Sequence, residues 1–262
     1  MSNRKLILLV AAPLMLGLLS IFATALTSSP VPLIDFSQPV FKDEFDTLDF
    51  GDRDLTPQSW YNGLWYEKPN PLDQMSVEGG VLTLKAPPGK RSTSITTVPR
   101  HGKGGRVFKH GYFEARMRFA NSDNDWAAFW LFSWQHSQGT DNNHWCEIDV
   151  FEHFGPGKFV GSVHEWTDKS HSRNSNAISK VEHPIDFSEW HNYGLLWTQS
   201  RLIWFLDGKP VHEAPPPQVC NNQDMFVILG TSKHEEGPLA WLQVDWLRIW
   251  SQRRDQRNSV QK

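Results

Sequence analysis

Between Phe41 and Ser251 the chain repeats one pattern, a short run of alternating apolar and polar residues followed by a cluster of turn formers. The runs are Val81 to Leu84, Gly111 to Phe119, Trp126 to Trp134, Trp145 to Phe154, Leu195 to Leu206, Met225 to Leu229 and Val244 to Trp250. A period of two is that of a strand with one face in a core and the other toward solvent or a cleft. Between the runs stand Glu78-Gly79-Gly80, Gly102 to Gly105, Gly155-Pro156-Gly157, Asp207-Gly208 and Pro215-Pro216-Pro217, residues that supply turn geometry. No long stretch carries the 3.6-residue period of an amphipathic helix. The pattern predicts an all-β domain over 41–251, a sandwich or barrel without internal repeats, with a concave face wide enough to hold Trp and acidic residues that alternate along one strand.

The first residues are of another kind. Arg4 and Lys5 precede Leu6 to Leu26, 21 residues without a charge, and Ala23-Thr24-Ala25 fits signal-peptidase cleavage. At about 1.5 Å per residue the same stretch could span a bilayer. We therefore read 1–26 as a signal peptide or membrane anchor, 27–40 as a Ser- and Pro-rich linker, and 252–262 as a polar tail. The expected destination is secreted, periplasmic or extracellular, with a membrane-anchored form if the leader is retained. Export makes Cys146 and Cys220 eligible for a disulfide, although spacing alone cannot bring them together.

With 26 basic and 29 acidic side chains, no net field draws the chain to nucleic acid or to an anionic membrane surface. There are 13 Trp against only 4 Tyr. Most of these indoles belong to a core. The surplus suits pyranose rings, whose C–H face packs on a flat π-surface while the hydroxyls reach polar groups at the rim. The expected partner is a polysaccharide, bound by a monomer.

The chemistry concentrates in Trp145-Cys146-Glu147-Ile148-Asp149-Val150-Phe151-Glu152. Chance would place three acids at these offsets about 0.3 times in a chain of this composition, so the spacing alone proves nothing. The surroundings matter more, because crowding carboxylates into an apolar strand costs several kcal/mol unless something is gained. Alternation puts Trp145, Glu147 and Asp149 on one face and Cys146, Ile148 and Val150 on the other. Glu152, at an odd offset from Glu147, would point to the wrong side. A β-bulge near Val150 and Phe151 adds the residue that turns it back, and is a required prediction. The two glutamate Cα atoms would then lie roughly 13 Å apart, with inward-leaning carboxyls at about 5 to 6 Å, the separation of a retaining glycosidase. Asp149 between them should hinder ionisation of both and help Glu152 to keep a proton.

Glu147-Ile148-Asp149-Val150-Phe151-Glu152 resembles the bulged signature of glycoside hydrolase family 16. Phe41-Lys42-Asp43-Glu44-Phe45, Gly111 to Arg116, Trp126 to Leu131, Trp190 to Tyr193, Trp204 to Gly208 and Val244 to Ile249 are similar to that family's landmarks in the same order. The resemblance covers 41–251. It implies a jelly-roll β-sandwich of two curved antiparallel sheets with a concave substrate cleft, and endo action on internal β-glycosidic bonds. By position it implies Glu147 as nucleophile, Glu152 as acid/base and Asp149 as the assisting carboxylate, an order that spacing leaves open. The bulged form is similar to laminarinase-like and agarase-like branches, whereas lichenase-like branches have the shorter ExDxE. A β-1,3-glucan is thus the first expectation; a β-galactan, processing of an exopolysaccharide, and a non-catalytic carbohydrate-binding jelly roll are the alternatives. Ala127 stands where the family commonly has Pro, and Ile228 to Thr231 replaces a Leu-Asn stretch.

Further substrate-binding candidates are Trp145, Trp126, Trp130 and Trp166 as sugar platforms, with His164 bonding a sugar hydroxyl or Glu152. Arg116 could grip hydroxyls or pair with Glu114. The basic loop from His101 to His110, with Lys103, Arg106 and Lys109, suits either solvent or an acidic glycan. No HExxH pair or Cys spacing points to a catalytic metal. Catalysis is expected to use no cofactor, while Glu44 and Asp245 could contribute to a structural calcium.

Overall fold

The computed structural model describes residues 34–252 apart from 52–58, 90, 101–103, 121, 123–124, 141–142, 154–156, 170–171 and 234–236. The leader over 1–26, the start of the linker, Lys103 and nearly all of the polar tail lie outside the described residues. Among the described residues no helix is long and apolar enough to cross a membrane.

In chain order the strands are β1 Phe41–Asp43, β2 Phe50–Gly51, β3 Trp60–Asn62, β4 Met75–Glu78, β5 Val81–Ala86, β6 Arg91–Thr96, β7 Gly111–Phe119 and β8 Asp125–Ser133. They continue as β9 His144–His153, β10 Lys158–Lys169, β11 Ser172–Pro184, β12 His191–Trp197, β13 Leu202–Leu206, β14 Lys209–Ala214, β15 Met225–Lys233 and β16 Ala240–Trp250. Two short α-helices, α1 Trp134–Ser137 and α2 Gln218–Asn222, interrupt them. One sheet has the order β14-β13-β12-β7-β16-β5-β4, with β1 also on β16. The other has the order β11-β10-β9-β8-β15-β6-β3-β2. This is the jelly-roll sandwich that the resemblance implied. One detail differs, since β2 pairs with β3 in parallel.

The period-two pattern explains the layering. In β7, Phe113, Ala115, Met117 and Phe119 enter the core; in β8, Phe129 and Leu131 do so, and in β9, Cys146 and Ile148. Both sheets send one face into this single apolar layer. A second, smaller cluster lies on the opposite face of the β8/β9/β15 sheet and comprises Leu64, Val98, Ala128, Trp130, Phe132, Trp145, Phe226 and Ile228. Trp65, Trp126, Trp134 and Trp166 pack against it half-buried. A face that carries aromatic residues on the side away from the core is the wall of a cleft.

Cys146 and Cys220 form a disulfide, with Cα atoms 5.0 Å apart, tying α2 to β9. Next to it the Gln223 side chain accepts from Cys146 N at 3.0 Å and donates to the His144 carbonyl at 2.9 Å. An amide thus stands in for a neighbouring strand where the β8 ladder has ended.

The last part of the segment read as linker lies on the domain. Ile34 bridges Gln252, Phe36 packs edge-on against Tyr112 and Trp250, and Trp250 Nε1 donates to the Phe36 carbonyl at 3.1 Å. Its Ser and Pro content suggested a free tether, but two apolar side chains suffice to dock it.

Candidate active site

The site is built on β9, whose acidic segment meets β8 on one side and β10 on the other. Against β10, Glu152 is opposite Val160 and Asp149 opposite Ser162, so three steps on β9 match two on β10. Against β8, Phe151 is opposite Phe129 and Asp149 opposite Trp130, so two steps match one. Both ladders therefore place one extra residue at Val150–Phe151, the bulge that the sequence required. Its signature is that consecutive side chains, Val150 and Phe151, both enter the core. Glu152 is thereby returned to the face of Glu147 and Asp149.

Each outer glutamate is held by an indole. Trp166 Nε1 donates to Glu147 Oε2 at 3.0 Å, and Trp126 Nε1 donates to Glu152 Oε1 at 3.1 Å. Asp149, 1% exposed, accepts from the Ser162 hydroxyl at 2.5 Å. His164 Nε2 lies 3.2 Å from the same carboxylate and 3.0 Å from Ser162 Oγ. Glu147, Asp149 and His164 place one polar atom each within 4.8 Å of one another.

Burial pushes the Glu147 carboxyl well above the ordinary glutamate range; the charges of Asp149 and Glu152 push the same way, and the Trp166 N–H opposes them. Asp149 thus hinders ionisation of Glu147, in keeping with its place between the two glutamates. A proton on Glu152 would remove one of the two charges that raise Glu147.

Beside Glu147 a cavity of about 210 Å³ is lined by Trp65, Tyr66, Trp130, Phe132, His136, Trp145 and Trp166. Trp126, Trp130, Trp145, Trp166 and His164 therefore all lie around the carboxylates, with roles more specific than those first assigned. Trp126 and Trp166 are hydrogen-bond donors to the glutamates as well as walls. His164 faces Asp149, because alternation on β10 sets it opposite Glu147 and two residues from Ser162. Trp145 is 2% exposed, has His136 stacked on it at 3.7 Å and lies parallel to Trp166 at 6.1 Å. It backs Trp166 and is not an open platform.

Arg116 is a clear correction. It lies on β7 of the other sheet, and its neighbours Ala115 and Met117 face the core, so its side chain leaves the sandwich on the side opposite the cleft. There it pairs with Asp245 at 3.1 Å and sits over Trp190 at 5.6 Å. The expected pair with Glu114 is absent; Glu114 instead accepts from the Tyr112 hydroxyl at 3.0 Å. The two calcium candidates are likewise held by guanidinium groups. Arg248 grips both oxygens of Glu44 at 2.9 and 2.7 Å, and Asp245 is paired to Arg116, so a cation there would have to displace two arginines.

Sequence reasoning missed Ser162, Trp65, Tyr66, Phe132 and His136. Ser162 was within reach, since stepping back by two from Trp166 and His164 gives it directly. Trp65 and Tyr66 sit in a connection without periodicity, and no local signal assigns them to the cleft.

Known proteins share sequence and fold with this chain. Over 209 residues the chain is 28% identical to the endo-1,3-1,4-beta-glycanase EglC of Rhizobium meliloti (strain 1021), covering 73% of this chain and 43% of that one. It is 28% identical over 192 residues to a beta-glucanase of Rhodothermus marinus, covering 67% of this chain and 65% of that one. The chain thus spans less than half the length of the Rhizobium relative. The laminarinase catalytic domain from Thermotoga maritima MSB8 shares the fold, with a TM-score of 0.64 at 18% identity over 83% of this chain and 99% of that one. The profile of Glycosyl hydrolases family 16 matches residues 66–233, more than half of the chain and the whole of the acidic strand, and the chain belongs to that family.

Proposed function

We propose that the protein is a retaining endo-glycosidase that hydrolyses internal bonds of a β-glucan containing 1,3-linkages. One observation carries this reading: the bulge in β9 places two glutamates on the cleft face of one strand, each gripped by a tryptophan N–H and separated by a buried third carboxylate. In the first step Glu147 as carboxylate attacks the anomeric carbon while Glu152 gives its proton to the departing glycosidic oxygen. In the second, Glu152 takes a proton from water, which displaces Glu147 from the same carbon. Two inversions leave the β-configuration. Asp149, anchored by Ser162 and facing His164, stands between the two glutamates, where its charge favours the protonated form of Glu147. Neither step requires a cofactor.

The names of relatives support glucans, and the Rhizobium enzyme's name extends the linkage to mixed 1,3-1,4 chains. The bulged strand argues against a mixed-linkage lichenase, and that relative's name keeps mixed-linkage chains among the substrates to be tested. A binding module without turnover would gain nothing from crowding three carboxylates. Incubation with laminarin, lichenan, agarose and carrageenan, following reducing ends and product anomer by NMR, is expected to show cleavage of laminarin with the β-anomer first. First-formed α-anomer would overturn the mechanism, and activity on the galactans alone would overturn the glucan assignment.

We further propose that the chain is exported by its N-terminal segment, as the disulfide at Cys146 and Cys220 suits an oxidising compartment. Expression with the native leader is expected to yield a mature N-terminus just after Ala25. Protein confined to the cytoplasm with Met1 or Ser2 at its start would refute export.

A further inference from the structure

The bulge on which the site depends is itself held from the opposite sheet. A bulge interrupts the ladder, and a carbonyl buried beside one needs another partner. Asp149 stands at the edge of this bulge, and its carbonyl accepts from Trp204 Nε1 at 2.9 Å. Trp204 lies on β13, two strands beyond β7 in the other sheet, and its indole is fully buried in the core between the sheets.

The indole can reach that far because of Gly161. On β10 this residue falls between Val160 and Ser162, directly opposite the inserted residue of β9. A Cβ at Gly161 would lie 2.6 Å from Trp204 Cδ1 and 2.8 Å from Nε1, closer than atoms can approach. Bulge, glycine and indole thus interlock. Asp149 is fixed at both ends, its carboxylate by Ser162 and its carbonyl by Trp204.

We infer that Trp204 is a positioning residue for the reaction, holding the bulge of β9 through the Asp149 carbonyl and so setting where Glu152 stands relative to Glu147. This rests on the catalytic reading of those two glutamates. Without the indole N–H, the buried carbonyl regains a partner most directly by regular pairing with β10, and a one-residue slip there turns Glu152 away from the cleft.

Trp197 supplies a matched control. It is fully buried on β12, next to β13 in the same sheet, and its indole nitrogen has no hydrogen-bond partner among the described residues. Trp204→Phe and Trp197→Phe both shrink a core indole, but only the first removes an N–H that holds the catalytic strand. In the full chain, Trp204→Phe is expected to lower kcat on laminarin by about 10- to 100-fold with KM nearly unchanged, the scale of a misplacement of order 1 Å. Trp197→Phe, with a similar loss of Tm, should keep kcat within about twofold. Gly161→Ala retains every tryptophan yet drives the indole off the carbonyl; it should reproduce the kcat loss, and it carries the test if Trp204→Phe does not fold.

A carbon-13 NMR titration of the Glu147 carboxyl is read alongside and needs no turnover. It should change in Trp204→Phe and Gly161→Ala and stay as in the wild type in Trp197→Phe. If the wild-type protein cleaves no glycan, the hydrolase reading fails while this titration still tests the positioning. Positioning is overturned if Trp204→Phe or Gly161→Ala leaves kcat and titration as in the wild type, or if Trp197→Phe shifts them equally.

Discussion

Glu147→Gln should lower kcat on the order of 10⁴-fold or more and at the same time raise the melting temperature. The loss follows from the proposed role, since an amide cannot form the glycosyl ester and no other side chain on the cleft face of β9 stands in its place. The gain follows from electrostatics. Burial and the charges of Asp149 and Glu152 make Glu147 hold its proton more tightly in the folded chain than in the unfolded one. As pH rises through the ordinary glutamate range toward the raised folded value, the native state therefore loses stability, and the loss is complete above that value. Gln carries no charge and can still accept from Trp166, so the variant recovers what the carboxylate costs. The recovery is about 2–4 °C in Tm for each kcal/mol, present at neutral pH and absent below the ordinary range, where both states are protonated. The same shift governs the wild-type rate profile. Attack requires ionised Glu147, so kcat/KM should fall on the acid side at a pH above that of an unperturbed glutamate. Calorimetry at two pH values beside a rate profile checks all three statements; a Glu147→Gln protein with turnover near the wild-type rate, or with lowered Tm at neutral pH, is incompatible with this account.

Replacing both cysteines by serine should destabilise the domain by about 4 kcal/mol, from the chain entropy released when a cross-link is opened. The link joins residues 74 apart in sequence, and a loop of that length restricts the unfolded chain strongly. For a domain of this size the melting temperature would drop by about 10 °C. Turnover measured well below both transitions should change by less than about threefold, because a contact outside the bulge leaves the reacting geometry in place. Gln223 continues to hold the Cys146 amide and the His144 carbonyl, and both ladders of β9 remain. Scanning calorimetry of oxidised wild type beside the double variant reads this directly. A melting temperature lowered by no more than a degree would mean that the bridge contributes little to the native state.

Where the structure departs from what the strand pattern suggests, the departures share one cause. Arg116 alternates with core residues as Glu147 does, so its strand pattern is indistinguishable from that of a cleft strand; which sheet it joins depends on pairing with β12 and β16, at separations that no local signal spans. By type Glu44 and Asp245 are oxygen donors, and only their approach to Arg248 and Arg116 shows how their charge is used. Trp145 shares the face of Glu147 as alternation requires, yet the ring that covers it, His136, comes from the short helix after β8. By contrast the bulge was deducible, because two glutamates at an odd separation cannot share a strand face unless one residue is added.

Local spacing in the chain was therefore enough to specify the all-β class, the most regularly alternating strands and the kink in the acidic strand, since each depends on side-chain period and backbone sterics within about ten residues. Pairing between distant strands decided the rest. It chose the cleft side of the sandwich, brought Trp126 and Trp166 to the glutamates, and passed the Trp204 indole above Gly161 to the Asp149 carbonyl. Such contacts are selected by the packing of whole sheets, where the partner of a side chain is determined by register and layer and leaves no periodic trace in the sequence around it.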